Sequence, residues 1–268
     1  MVIYLKILCL GDVYGNAGCL AVRTLLPEMK KQYNIDMVIA NGENSAEGNG
    51  ILPHSAAHLF DSGVDVITGG NHTLRRQEIY PMLEENERLL RPANYPASAP
   101  GHGICVLDFG YCRVGVINLA GAVYTDAFTS PFAMVDDCIA KAKKQGADII
   151  LVDLHAEATS EKRAMGFYLD GQISAIFGTH THVATADAQV LPQGTGYITD
   201  LGMCGTVHSV LGVAPEIIVE RFTTMRPTRF QSAVGPAAVS GCIFDIDKRD
   251  GRCHSAEYIY AKERNRDA

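Results

Sequence analysis

The chain repeats one local pattern: a short apolar run that stops at a glycine or a polar residue. Residues 5–10 run into Gly11-Asp12, residues 37–40 into Asn41-Gly42-Glu43-Asn44, and residues 64–68 into Gly69-Gly70-Asn71-His72. The pattern returns where residues 149–152 lead to Asp153-Leu154-His155, and where residues 173–177 lead to Gly178-Thr179-His180-Thr181-His182. Short apolar runs bounded in this way read as buried strands. The polar residues then stand at the C-terminal ends of strands, which is where open α/β sheets place their chemistry.

Helical signals lie between these runs. Leu20, Leu25, Leu26 and Met29 predict an apolar stripe on a helix that begins near Gly15 to Gly18, and Lys30 and Lys31 suit its C-terminal end. Pro53 opens a second helix through Ala56, Leu59 and Phe60, which Gly63 ends. A polar helix is expected over 75–87, another over 131–144 and a last one near 216–222. Residues 104–109 with 113–118, and 189–191 with 196–199, predict hairpins, and two further strands are expected near 237–244 and 257–259. Early βα units followed by hairpins fit a four-layer α/β/β/α sandwich of two mixed sheets better than a doubly wound fold. With 268 residues and no repeat or linker, one domain over 1–268 is expected.

Composition narrows the function classes. A net charge of -7 and a pI near 5.7 argue against nucleic acid as the main partner, because that needs an excess of Lys and Arg on one face. The eight cysteines form no C-x-x-C pair and several fall within apolar runs, as expected of buried thiols in a reducing compartment. The apolar opening, residues 1–10, is interrupted by Lys6 and is wrongly flanked for a signal peptide. No apolar run approaches the roughly 20 residues of a membrane span. A cytoplasmic protein without a membrane partner is expected, and a monomer and a closed homo-oligomer both fit the composition.

The strand-end residues are suited to metals. Two imidazoles at i, i+2 project to one side of an extended segment and reach either one ion or two neighbouring ions. Taken singly, Asp12 is an ordinary turn former, Asn71 an Asx turn and His155 a satisfied core histidine. Taken together, Asp12, Glu43, Asn44, Asn71, His72, His155, His180 and His182 supply a carboxylate able to bridge, hard oxygen ligands and neutral imidazoles. A two-metal hydrolytic site needs that set, with ions roughly 3.5 to 4 Å apart and a shared hydroxide as nucleophile. His54, His58, His102, His208 and His254 fall outside the pattern.

The ordered segments Gly11-Asp12, Gly42-Glu43-Asn44, Gly70-Asn71-His72, His155 and Gly178-Thr179-His180-Thr181-His182 resemble those of calcineurin-like metallophosphoesterases. Within these, the chain is similar to the YmdB-like branch of bacterial cyclic-nucleotide phosphodiesterases. That likeness rests on Ala40-Asn41-Gly42-Glu43-Asn44, Leu90-Arg91-Pro92-Ala93-Asn94-Tyr95-Pro96, His155-Ala156-Glu157-Ala158-Thr159-Ser160-Glu161-Lys162 and the segment from Gly178 to Val183. It spans at least Ile7 to about Phe230. The wider superfamily carries Asp-x-His at the first strand, where this chain has Asp12-Val13-Tyr14, and an Asp bridge where this chain has Glu43. Both departures are features of the YmdB-like branch.

The resemblance implies two transition-metal ions per chain, iron first, with manganese or zinc as alternatives. It assigns Asp12, Glu43, Asn44 and His182 to one ion, and Glu43, Asn71, His155 and His180 to the other. His72 would orient the phosphate or protonate the leaving oxygen as general acid. Arg91, Thr181 and His208 are candidate substrate contacts. The implied substrate is a small cyclic nucleotide phosphodiester. A phosphomonoesterase of the same fold, or a nucleotide-binding regulator with little turnover, would use the same residues.

Overall fold

The computed structural model describes residues 4–125 and 129–263. Met1, Val2 and Ile3, the start of the apolar opening run, lie outside the described residues. The chain begins β1 (Tyr4–Val13), α1 (Gly15–Tyr33), β2 (Met37–Asn41), α2 (Pro53–Asp61), β3 (Val66–Thr68) and a short α3 (Tyr80–Glu85). There follow β4 (Ile104–Asp108), β5 (Arg113–Ala120), α4 (Pro131–Lys144), β6 (Ile149–His155), α5 (Thr159–Leu169) and β7 (Ala175–Thr179). The chain continues through β8 (Gln189–Val190), β9 (Gly196–Ile198), β10 (Met203–Thr206), α6 (Pro215–Thr224), β11 (Ala237–Asp247) and β12 (Cys253–Lys262).

The strands form two six-stranded mixed sheets. One has the order β12-β11-β10-β1-β2-β3, with β11 also pairing β1, and the other β4-β5-β6-β7-β9-β8. Side-chain alternation divides the apolar residues among three layers. Leu5, Ile7 and Cys9 of β1 and Met37 and Ile39 of β2 meet Val114, Val116, Leu151 and Phe177 between the sheets. Leu8, Leu10, Val38 and Ala40 point the other way, onto α1 and α2. Ile150, Val152 and Leu154 pack on Val135, Ile139, Met165 and Leu169 of α4 and α5. The result is the expected α/β/β/α sandwich.

The same parity carries chemistry to the end of the inter-sheet layer. Asn41 shares a face with Ile39, Asp153 and His155 with Leu151, and Thr179 with Phe177. A register shift between Leu10 and Asp12 interrupts the pairing of β1 with β2, the kind of irregularity that re-aims a side chain. Asp12 is fully buried as a result.

Several elements differ from expectation. The α1 stripe includes Cys19, Val22, Leu26 and Met29, with Leu25 packed at its edge, whereas Leu20 is 45% exposed. The polar helix expected over 75–87 is a 3₁₀ turn at Gln77–Ile79 followed by the six-residue α3. Pro81 explains the break, since proline suits the first turn of a helix and not its interior. Helix α5 and strand β10 carry too weak a local pattern to have been expected. No described helix is long and apolar enough to cross a membrane.

Candidate metal centre

Five strand ends converge. Asp12 comes from β1, Glu43 and Asn44 from the turn after β2, Asn71 and His72 from the turn after β3, His155 from β6, and His180 and His182 from the loop after β7. Asp12, Glu43, Asn44 and His155 are each at most 3% exposed. Gly70 makes the approach possible, because a Cβ there would collide with the His155 ring and the Glu43 carboxylate.

Two clusters of polar side chains meet at Glu43. In the first, His155 Nε2 lies 3.0 Å from Asn71 Oδ1, 3.0 Å from His180 Nδ1 and 3.1 Å from Glu43 Oε1. In the second, the Asn44 amide donates from Nδ2 to the Glu43 carboxylate at 3.0 Å from Oε1, Nδ2 lies 3.3 Å from His182 Nε2, and His182 Nε2 is 3.8 Å from Asp12 Oδ1. Glu43 Oε1 belongs to both. His180 and His182 stand in different clusters, while Asp12 Oδ1 lies 3.8 Å from both His182 Nε2 and His155 Nδ1.

Each imidazole is anchored through its outer nitrogen. His155 Nδ1 meets Thr179 Oγ1 at 2.9 Å, and that hydroxyl donates to Asp153 Oδ1 at 2.7 Å. His182 Nδ1 meets the Leu211 carbonyl at 3.1 Å. His180 Nε2 stands 3.1 Å from Glu157 Oε2. A carbonyl accepts only, so the proton of neutral His182 sits on Nδ1 and its lone pair faces the centre. Holding one ring nitrogen and leaving the other free is how proteins orient metal-ligating histidines.

Two further observations bear on whether a cation fits. Asp12 Oδ1 is buried without a hydrogen-bond partner, while Oδ2 accepts from the His180 amide at 2.9 Å. A buried carboxylate oxygen without a donor is costly unless a cation faces it. Glu43, His155 and His180 also offer ligand atoms all within 4.8 Å of one another. The donor set is hard oxygen and imidazole nitrogen, suited to iron, manganese or zinc. Glu43, His155 and His180 fit such an ion.

The electrostatics agree with this donor set. Burial alone would raise the Glu43 carboxyl, but His155 and His72 more than reverse that and hold it down at about 2. Burial and then His155 push His180 down to about 3, so its ring is neutral near pH 7. Burial pushes Asp153, beneath the Thr179 hydroxyl, up to about 6.

The remaining candidates are placed as follows. His72 stands beside the clusters, its amide donating to Glu43 Oε2 at 2.8 Å and its Nδ1 2.8 Å from Asn44 Oδ1. Thr181 lines the adjoining cavity. Arg91 is buried, and its guanidinium donates to the Pro92 carbonyl at 2.8 Å. Its side chain braces the loop and is not part of the cavity wall. His208 is exposed and likewise lies off that wall. Asn118 binds the Gly69 backbone through both side-chain atoms.

Sequence reading missed the walls of the cavity. Tyr14, Arg75, Arg76, Phe222, Arg229 and Phe230 border it, and of these only Tyr14 stands at the end of an apolar run, where it reads as a departure from a histidine ligand. Glu157 and Lys162 sit in a segment that carried the family likeness, yet no local pattern gave either a role.

A family model described as YmdB-like protein matches residues 8–259. The chain belongs to the YmdB-like family. A relative from Bacillus subtilis (strain 168), named 2',3'-cyclic-nucleotide 2'-phosphodiesterase, is 43% identical over 255 residues, covering 95% of this chain and 96% of the relative. The crystal structure of a Mycoplasma pneumoniae protein described as a novel phosphatase superposes with a TM-score of 0.91 at 34% identity, covering 99% of this chain and 96% of that one. A Thermus thermophilus protein of known structure gives a TM-score of 0.89 at 40% identity, covering 97% of this chain and 100% of that one. The YmdB-like likeness read from the strand-end motifs is borne out, and the fold is also similar to that of a putative 5'-nucleotidase from Staphylococcus aureus, with a TM-score of 0.62 at 16% identity, covering 97% of this chain and 55% of that one.

Proposed function

We propose that this phosphoric ester hydrolase is a phosphodiesterase that acts on small cyclic nucleotides at a centre of two metal ions. The observation that carries the reading is the pair of polar clusters joined at Glu43 Oε1, one of them containing the partnerless Asp12 Oδ1. The Bacillus subtilis relative supports a cyclic diester as substrate. Asp12, Asn44 and His182 would hold one ion, Asn71, His155 and His180 the other, and Glu43 both. Bound there, two such ions, iron or else manganese or zinc, would supply Lewis acidity toward the phosphoryl oxygens and toward a water.

The chain's own groups set up the rest. Glu43 is ionised and His180 neutral near pH 7, so both are ready to ligate. Asn44 serves a cation only through its oxygen, and turning Oδ1 inward sets Nδ2 against His72 Nδ1. Nδ1 then accepts, which leaves the His72 proton on Nε2 for transfer to the leaving oxygen.

A cavity of about 950 Å³ opens from His72, His180 and His182. Tyr14, Phe222 and Phe230 give it apolar faces on which a base can stack, and Arg75, Arg76 and Arg229 give it cations for phosphate. Both halves of a nucleotide therefore have matching walls.

Metal-loaded protein assayed on 2',3'- and 3',5'-cyclic nucleotides, bis(p-nitrophenyl) phosphate and p-nitrophenyl phosphate tests the proposal. Turnover of the diesters is expected. Turnover of the monoester alone would replace the phosphodiesterase with a phosphatase of the same fold.

A further inference from the structure

The loop that carries both histidines is held in an unfavourable backbone conformation. His180 has φ 103° and His182 φ 63°, a region that residues with a Cβ rarely adopt and keep only when their surroundings impose it. Something must impose it here, and a buried ion pair lies directly beneath.

Lys162, 2% exposed on α5, puts Nζ 2.6 Å from Asp200 Oδ2, and Asp200 is 1% exposed. Lys162 Nζ also donates to the Thr179 carbonyl at 2.8 Å. Asp200 Oδ2 accepts from Thr181 Oγ1 at 2.8 Å and from the Thr181 amide at 3.2 Å. Its other oxygen accepts from the Gly202 amide at 2.8 Å. The pair therefore grips the residue before His180 and the residue between the two histidines. Gly178 leaves room for the grip, since a Cβ there would meet the Thr199 carbonyl and the Lys162 stem.

Burying two charges returns little stability compared with apolar residues of the same volume, and such pairs are best understood where they fix a geometry. We propose that Lys162 and Asp200 are positioning residues, which lock the 179–182 loop so that His180 and His182 face different polar clusters. The idea rests on the two-metal reading above. It gives a role to the Glu157-to-Lys162 segment, whose Glu157 meets the outer nitrogen of His180 while Lys162 holds the loop from below.

The test is Mn²⁺ titration of the metal-free full chain by calorimetry, with the visible spectrum of the Co²⁺-loaded protein as a second readout. Lys162→Met is expected to weaken Mn²⁺ binding by about 10- to 100-fold, the usual effect of losing a residue that orients ligands, and to change the Co²⁺ spectrum. Thr181→Val removes one contact to Asp200 without stranding a charge, so it gives the same result by a smaller factor and stands in if Lys162→Met does not fold. Val135→Ala, in the core between α4 and the sheet, lowers the unfolding temperature but leaves Mn²⁺ affinity and spectrum unchanged. Wild-type affinity and spectrum in Lys162→Met and Thr181→Val would overturn the positioning role alone. A wild-type chain that binds no Mn²⁺ would overturn this inference and the two-metal reading together.

Discussion

His155 Nε2 lies 3.1 Å from Glu43 Oε1, and the two side chains set each other's protonation. Burial would lower the His155 pKa, but Glu43, with Asp12 and Asp153, outweighs it and brings the ring to about 9. The folded value thus exceeds the ordinary 6.5. In the metal-free protein the stabilisation is fully present below pH 6.5 and is lost as pH rises through 9. A ligating imidazole must be neutral, so binding in that window releases the proton. Calorimetry near pH 7.5 in buffers of different ionisation enthalpy should report release of about one proton per chain, and almost none above about pH 10. A buffer-independent enthalpy at the lower pH would contradict this pairing.

His72 touches the centre only through Glu43 and Asn44. His72→Gln is therefore expected to keep both metal equivalents while kcat falls about 10²- to 10⁴-fold on a substrate with an alkoxide leaving group. The defect should shrink on bis(p-nitrophenyl) phosphate, because p-nitrophenolate leaves without help from an acid. Equal losses on both substrates would remove His72 from the proton-donor role.

The aromatic wall of the cavity gives a separate prediction. Phe230→Ala should raise KM for a cyclic nucleotide by about tenfold, the loss of one base-stacking contact, and leave kcat/KM for bis(p-nitrophenyl) phosphate within about twofold. An equal effect on both would mean that Phe230 shapes the loop and does not meet the base.

All eight cysteines are buried and free, and burial pushes their thiols up, Cys19 to about 11 and Cys105, Cys204 and Cys253 to about 12. Thiols held that high are poor nucleophiles. At pH 8 the native protein should react with DTNB at a small fraction of the rate seen in denaturant, where all eight titrate. Fast reaction of the native protein would show that the apolar layers holding these thiols open.

The convergence of the candidate residues was legible because each follows a local apolar run, and a strand's two-residue period needs only a few neighbours to show itself. Helix α5 was not legible. Its sequence interleaves buried Met165 and Leu169 with buried Glu161 and Lys162, and those charges are satisfied far along the chain, Glu161 by the Ala122 amide and Lys162 by Asp200. Arg91 shows the same limit from the other side. An arginine in a proline-rich loop reads as a phosphate contact, and only the fold reveals that the Pro92 carbonyl occupies its guanidinium. Asp200 was within reach, since it follows β9 as Asp12 closes β1, but its partner lies in the helix that local pattern could not find.

In the proposed function, two ions divided between His180 and His182 and joined by Glu43 make this chain a phosphodiesterase. The most direct test is stepwise addition of Mn²⁺ to the anaerobic metal-free protein, reading bound metal and hydrolysis of bis(p-nitrophenyl) phosphate in the same samples. Binding should saturate at two equivalents per chain, with hydrolysis appearing only as the second is filled, and at one equivalent with little hydrolysis in His182→Ala. Full activity at one equivalent, or two equivalents retained in His182→Ala, would contradict the account.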